Sequence, residues 1–247
     1  MLKRLHFYDE LPSTNTTAYE LALAGAPEGE VVMAEAQSRG RGRLERSWHS
    51  PPGKNLYVSL ILRPSLPITT APQLTLVAGI AVAEVIARHC PGRVQIKWPN
   101  DVQVGGRKIS GILTEAKASA EGVEFIIVGI GINVNMEIHD FPKELQETAT
   151  SFLIEAKKNF CRLHLLNELF LAWDKWYETF LRQGFEGIRD AFLAFSPMEG
   201  KRVRVTFRQE VWEGVVVEID EQGALLVRDE RGQIHRIMAG DIELVKN

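Results

Sequence analysis

The chain has 247 residues, 45% hydrophobic and 25% charged, with a formal net charge of −3. At this length roughly three quarters of the unfolded surface can be buried, which excludes a need for disulfide or metal staples. The slight negative charge excludes a global pull toward nucleic acid or anionic membrane, so any polyanion site must be a local concentration of Arg and Lys.

At the N-terminus, Met1 to Phe7 lacks the apolar run of a signal peptide, and no uninterrupted apolar stretch approaches the ~20 residues of a membrane span, which points to a reducing cytoplasm. Residues 1–8 alternate weakly and predict a short strand, and Ser13-Thr14-Asn15 offers a cap for a helix over Ala18 to Leu23 that Gly25 and Pro27 end. Val31 to Ala34 predicts a buried strand that delivers Gln37 and a basic loop at its C-terminal end. Asn55 to Arg63 alternates, with Leu56, Val58, Leu60 and Leu62 on one face and Tyr57, Ser59 and Ile61 on the other. A core helix is predicted from Pro72 to Cys90, then a strand from Val94 to Trp98. A hairpin across Gly105-Gly106 joins Val102–Val104 to Arg107–Glu115, and Val123 to Val128 supplies the partner strand.

Strands that meet through hairpins argue for the α+β class with a mixed, mostly antiparallel sheet. Further on, Leu165, Leu166, Leu169, Phe170, Trp173, Trp176, Tyr177, Phe180 and Leu181 fall at helical spacing and read as core or as cover for a sheet face. A helix over Gly187 to Phe195 follows, and Ser196-Pro197 marks a break. The texture then changes to short strands punctuated by Gly214, Gly223, Gly232 and Gly240, which suggests a small barrel. The division expected is 1–196 and 197–247. The two cysteines, Cys90 and Cys161, have no Cys or His at zinc-ligand spacing and read as buried or half-buried apolar residues.

Three blocks, and a lysine between the second and the third, carry chemistry. Gly40-Arg41-Gly42-Arg43-Leu44-Glu45-Arg46-Ser47-Trp48 combines glycines that expose backbone N–H groups with fixed positive charge, which suits a phosphate; alone, it is equally a solvated basic turn or a nonspecific nucleic-acid contact. Lys97-Trp98-Pro99-Asn100-Asp101 ends a strand in a turn, either a plain Asn-Asp turn or a carboxylate placed for Mg²⁺. Beyond it, Lys108 follows the Gly-Gly turn and by two-residue alternation shares a face with Ser110, Ile112 and Thr114, as a solvated edge residue or a partly enclosed ammonium that meets an anion. Gly129-Ile130-Gly131-Ile132-Asn133 lacks the Gly-x-Gly-x-x-Gly spacing of a dinucleotide site, and its glycines instead let a ligand ring approach a strand backbone.

In this order, the three blocks resemble those of biotin protein ligases, over nearly the whole chain. The resemblance implies a catalytic domain related to class II aminoacyl-tRNA synthetases with a C-terminal SH3-like barrel. It implies an ATP-dependent, Mg²⁺-assisted enzyme that forms biotinyl-5′-AMP and transfers biotin to a lysine of a biotin carboxyl carrier protein. By this likeness Ser13, Thr14 and Gln37 line the ureido end of biotin, with backbone groups of Gly40 and Arg41, and Gly111 lies beside its ring. Arg43 closes over the adenylate phosphate. Trp48 sits near the adenine or supports the loop, Asn133 lies close to the adenine, and Asn100 and Asp101 are on the nucleotide side, Asp101 as the metal carboxylate. Lys108 contacts the biotin carboxylate and α-phosphate, where charge builds during adenylate formation.

Two departures stand out. Glu45 replaces the later glycine of the usual loop, which strains the backbone if φ is positive there and adds an anion beside the arginines. Regulatory members begin with a helix-turn-helix, whereas Ser13 already belongs to the first motif, so a repressor role and nucleic-acid binding are not expected. A homodimer is common in the family, and the carrier is expected to dock partly on the barrel, so that deleting residues after Ser196 spares the fold more than ligation. Two competing readings are a lipoate or octanoate attachment enzyme of related fold and a noncatalytic module gripping RNA or single-stranded DNA, which predicts steeply salt-dependent binding.

Overall fold

In the computed structural model, residues 3–119, 122–207, 210–238 and 240–245 are described. The first sheet has seven strands: β1 (Arg4–Leu11), β2 (Glu30–Gln37), β3 (Leu56–Leu62), β4 (Val94–Lys97), β5 (Asp101–Val104), β6 (Arg107–Ser119) and β7 (Gly122–Ile132). Their order is β1-β2-β3-β7-β6-β5-β4, with β1 and β2 parallel and every other pair antiparallel. The expected mixed, mostly antiparallel α+β sheet is therefore present. The predicted first strand runs three residues longer, to Leu11, while Met1 and Leu2 lie outside the described residues.

The two faces of the sheet are covered by different means. On one face lies α2 (Ala71–His89), with α3 (Phe152–Ala156), α4 (Arg162–Gln183) and α5 (Glu186–Phe195) packed against it. Leu56, Val58, Leu60 and Leu62 of β3 and Ile126, Val128, Ile130 and Ile132 of β7 point into this core. Ile68–His89 is long and apolar enough by composition to cross a membrane, although Gln73 and Glu84 interrupt its apolar run, and 78% of its most apolar window is buried inside the fold, as a core helix requires. The aromatic stripe of α4 also faces inward: Trp173 and Tyr177 stack with centroids 5.2 Å apart, although Leu181 is exposed.

The opposite face is covered only in part. Helix α1 (Thr14–Leu23) packs Ala18 and Ala22 on Val32, Ile61, Phe125 and Ile127. Continuing along β7 on that face, position 129 and then 131 are glycine, and on β3 Ile61 is followed by Ser59 and Tyr57. Large side chains thus lie under the helix, and small or polar ones beyond its end, which leaves a trough on the sheet.

The C-terminal strands β8 (Arg202–Phe207), β9 (Glu210–Ile219), β10 (Leu225–Asp229), β11 (Ile234–Ile237) and β12 (Asp241–Leu244) form an antiparallel SH3-like sheet in the order β11-β10-β9-β8-β12. One apolar core runs through both sheets, joining Leu76 and Ile112 to Val203, Val216, Leu225 and Ile242. The Trp98 indole, 2% exposed, donates to the carbonyl of Gly223 at 3.1 Å. Removal of the residues after Ser196 would uncover this core, which the sequence reading did not anticipate. Cys90 is buried at the end of α2, whereas Cys161, expected to be at least half-buried, is exposed at the N-terminus of α4, where the chain enters the helix from the surface.

Candidate active site

The trough is a cleft of about 310 Å³. It brings together Ser13, Thr14, Gln37, Arg41, Arg43, Trp48, Asn100, Asp101, Lys108, Gly111 and Asn133 from separate parts of the chain. Gly40 lies behind the wall. A Cβ there would stand 2.4 Å from the Trp48 carbonyl and 2.6 Å from Ser50 Oγ, so close packing at the loop base requires glycine.

At one end the start of α1 builds a polar network. Ser13 caps the helix through its carbonyl alone, which leaves the neighbouring side chains for other work. Both the Thr14 backbone N–H (2.8 Å) and its hydroxyl (3.2 Å) donate to Gln37 Oε1, and Gln37 Nε2 donates to Ser50 Oγ at 2.9 Å. One Nε2 hydrogen of Gln37 remains to meet a ligand from a carboxamide already fixed in orientation. Ser59 lies beneath, its hydroxyl 2.8 Å from Thr14 Oγ1 and 2.6 Å from Asn15 Oδ1, and Asn15 Nδ2 donates to the Leu113 carbonyl and to Glu115. Glu115 in turn accepts from Arg41 at 2.8 Å. Sequence reasoning took Asn15 only as a cap and missed Ser50, Ser59 and Glu115; the available signal was hydroxyl and amide groups at positions where periodicity demands burial.

In the middle stands Lys108. The two-residue alternation expected of it fails, because the β5–β6 register shifts: Val102 pairs with Ser110 and Gln103 with Lys108, so Ile109 is an extra residue. This bulge turns Lys108 to the face of Gly111 and Leu113, while Ile112 and Thr114 face α2. The ammonium is 2.8 Å from Asp101 Oδ1 and 5.2 Å from the centroid of the Trp48 indole. Trp48 lies across the sheet where β6 and β7 carry glycine: a Cβ at Gly131 would be 2.6 Å from its ring and one at Gly111 3.0 Å. The close approach predicted at these glycines is therefore filled by the protein's own indole and, at Gly129, by Asn15. Trp48 Nε1 is buried without a hydrogen-bond partner among the described residues.

Arg107, next to Lys108, pairs with Glu155 at 2.6 Å. The basic loop is closed by an Arg41–Ser47 bridge and by hydrogen bonds from Gly42 to Arg46 and from Trp48 to Gly40. At its tip Leu44 and Glu45 have φ of 54° and 61°, so the condition for strain at Glu45 is met. Arg43 reaches inward and donates Nη1 to Asn100 Oδ1 at 2.8 Å. Burial pulls its guanidinium below the ordinary value, Asp241 and Asp101 push it back up, and it stays charged.

The far end is more apolar, with Phe141, Leu145 and Ala149, which sequence reading missed because that segment has no helical or strand period. Asn133 is 5% exposed, and its amide donates to the Thr150 carbonyl. Among the described residues no group of three or more His, Cys, Asp or Glu side chains could hold a metal by itself. The cleft can thus take an elongated ligand with a polar head at one end, an anion at Lys108 and Arg43, and a flat apolar group at the other.

Residues 8–133 match the model of the Biotin/lipoate A/B protein ligase family, and residues 200–245 match the Biotin protein ligase C terminal domain. The chain is 40% identical over 244 residues to the bifunctional ligase/repressor BirA of Bacillus subtilis, covering 99% of this chain and 75% of that one. It is 34% identical to the biotin–[acetyl-CoA-carboxylase] ligase of Paracoccus denitrificans, covering 90% and 92% of the two chains. Among solved structures, the Aquifex aeolicus biotin protein ligase in complex with biotin and ATP superposes with a TM-score of 0.83 at 29% identity, over 100% of both chains.

Proposed function

The chain belongs to the biotin protein ligase family and is an ATP-dependent enzyme that attaches biotin to a carboxylase carrier protein; we propose how its cleft divides that work. The ureido group of biotin binds at Thr14 and Gln37, beside Ser13, where the carboxamide is already oriented by Thr14 N–H and Ser50. Its carboxylate reaches Lys108, and the α-phosphate of ATP lies between Lys108 and Arg43. The adenine rests on the apolar end by Phe141, Leu145 and Ala149, with Asn133 on that wall.

A carboxylate oxygen of biotin attacks the α-phosphorus, the α–β bridging bond breaks, and pyrophosphate leaves with the electron pair. The neutral ε-amine of the carrier lysine then attacks the acyl carbon of the mixed anhydride, the bond from that carbon to the phosphate oxygen breaks, AMP departs with its electron pair, and the amine gives up one proton to solvent. No side chain needs to act as a covalent nucleophile, since alignment and charge stabilisation suffice. The observation that carries the reading is the place of Lys108: a bulge turns its ammonium into the centre of the cleft, against Asp101 and the Trp48 face, where it can meet both reacting anions. Mg²⁺ commonly keeps several waters and is held by one or two carboxylates together with substrate phosphates, and Asp101 beside the phosphate arginines fits as that carboxylate. When bound it neutralises charge on the leaving pyrophosphate.

The test is ATP–pyrophosphate exchange with biotin, lipoate or no acid, with Lys108→Ala in parallel. Exchange should require biotin and fall on the order of 100-fold or more in the variant. Exchange supported by lipoate, or kept by Lys108→Ala, would overturn the assignment.

A further inference from the structure

The arginine loop is held in part from outside the seven-stranded sheet. Its tip, with Leu44 65% exposed and two residues at positive φ, is closed internally by the hydrogen bonds Gly42 to Arg46 and Arg46 to Arg43. Beside the bonds of Arg41 to Glu115 and of Arg43 to Asn100, two further ties come from almost two hundred residues away. Arg46 pairs with the carboxylate of Asp241, the first residue of β12, and Arg43 donates Nη2 to the Gly240 carbonyl at 3.1 Å, beside its bond to Asn100. Asp241 also lines the cleft. A carboxylate and a phosphate oxygen are alternative partners for a guanidinium, so a protein-borne anion stands among the groups that would face a nucleotide.

We propose that Asp241 is a positioning residue, which through Arg46 clasps the arginine loop over the cleft and thereby sets how long the acyl-adenylate is retained. The inference rests on the adenylate reading above. Once pyrophosphate has left, the adenylate carries a single phosphate, which occupies Lys108 and Arg43 and leaves Arg46 to Asp241. The C-terminal sheet then takes part in guarding the intermediate, apart from any part in receiving the carrier. Because the Arg46 side chain is 70% exposed, the clasp is a modest one and is screened by salt.

The experiment preloads the full-length enzyme with labelled biotinyl-5′-AMP and follows release after an unlabelled chase, for wild type, Asp241→Asn, Arg46→Gln and the double variant. Each single variant should release about three- to fivefold faster at low salt, the double no faster than either, and the wild type should approach the variants as salt rises. Release from Asp241→Asn at the wild-type rate, or multiplying effects in the double, would overturn the proposal. A ligand-free arm separates this from the adenylate reading. Trypsin cleavage after Arg41 and Arg43 should quicken by a similar factor in both single variants, whether or not the protein makes an adenylate, and unchanged cleavage would refute the clasp itself.

Discussion

Three alanine substitutions on the cleft floor give opposite expectations for an open and an occupied strand. In an unobstructed strand, Gly→Ala at a permissible φ stabilises by about 0.4–1 kcal/mol, because the unfolded chain loses freedom. At Gly129 the added Cβ would lie 1.9 Å from Asn15 Oδ1, where ordinary contact begins at 3.4 Å. The carboxamide must retreat by about 1.5 Å. It cannot do so and keep its bonds to Ser59, Leu113 and Glu115. Three hydrogen bonds at about 1 kcal/mol each give a loss of roughly 3 kcal/mol, or a fall in Tm on the order of 10 °C in a chain of this size.

At Gly131 the obstacle is the Trp48 indole at 2.6 Å, whose Nε1 has no hydrogen-bond partner among the described residues, so the ring can slide. Stability should fall by only about 1 kcal/mol, while exchange drops about tenfold or more as the wall beside Lys108 moves. Gly111 meets the indole edge and the flexible end of Lys108 at 3.0–3.2 Å, and its replacement should be the mildest of the three in both readouts. Thermal melting and biotin-dependent pyrophosphate exchange on the three variants decide the matter. A Gly129→Ala protein that melts at or above the wild-type temperature, or a Gly111→Ala protein with the lowest exchange, would show this account of the floor to be wrong.

The remaining expectations are simpler. Glu45→Gly should relieve about 1 kcal/mol of left-handed strain, partly offset by the greater freedom of glycine in an open loop, and should slow adenylate release roughly two- to fourfold; equal release rates would remove strain at Glu45 from the account. Burial pushes the Cys90 thiol up to about 12, and Cys161 is exposed, so a thiol reagent should titrate one cysteine quickly in native protein and both only in denaturant. Burial raises the Asp220 carboxyl, but Arg236 and the Ala224 and Gln222 N–H groups outweigh it and hold the group below its ordinary 3.8. A depressed carboxylate stabilises the fold above the unfolded value and ceases to do so as pH falls through the folded one. Asp220→Ala should therefore melt below wild type at neutral pH, with the gap closing as pH drops beneath 3.8.

Much of this architecture was legible in the chain because burial imposes a period. The strand at Leu56–Leu62 and the helix at Ala71–His89 each emerged within one residue of the expected limits, since apolar spacing and a flanking Pro define them. The motif blocks also placed Arg43, Lys108 and Asn100 in one cleft before any geometry was available. What escaped had no local signature. The bulge at Ile109 is set by pairing with a neighbouring strand and reverses the face on which Lys108 sits. Asn15, Ser59 and Glu115 acquire their roles only when α1 is laid beside β3 and β6. Asp241 meets Arg46 across 195 residues, a contact no motif encodes.

The core that passes without a break from α2 into the C-terminal sheet makes the enzyme a poor candidate for modular reuse. Cut at Ser196, each part loses a partner face: Trp98 loses the carbonyl that receives its indole, and Leu76 and Phe185 lose the close packing of Gly223. Those faces are complementary, however, so the severed halves carry the means of their own recombination.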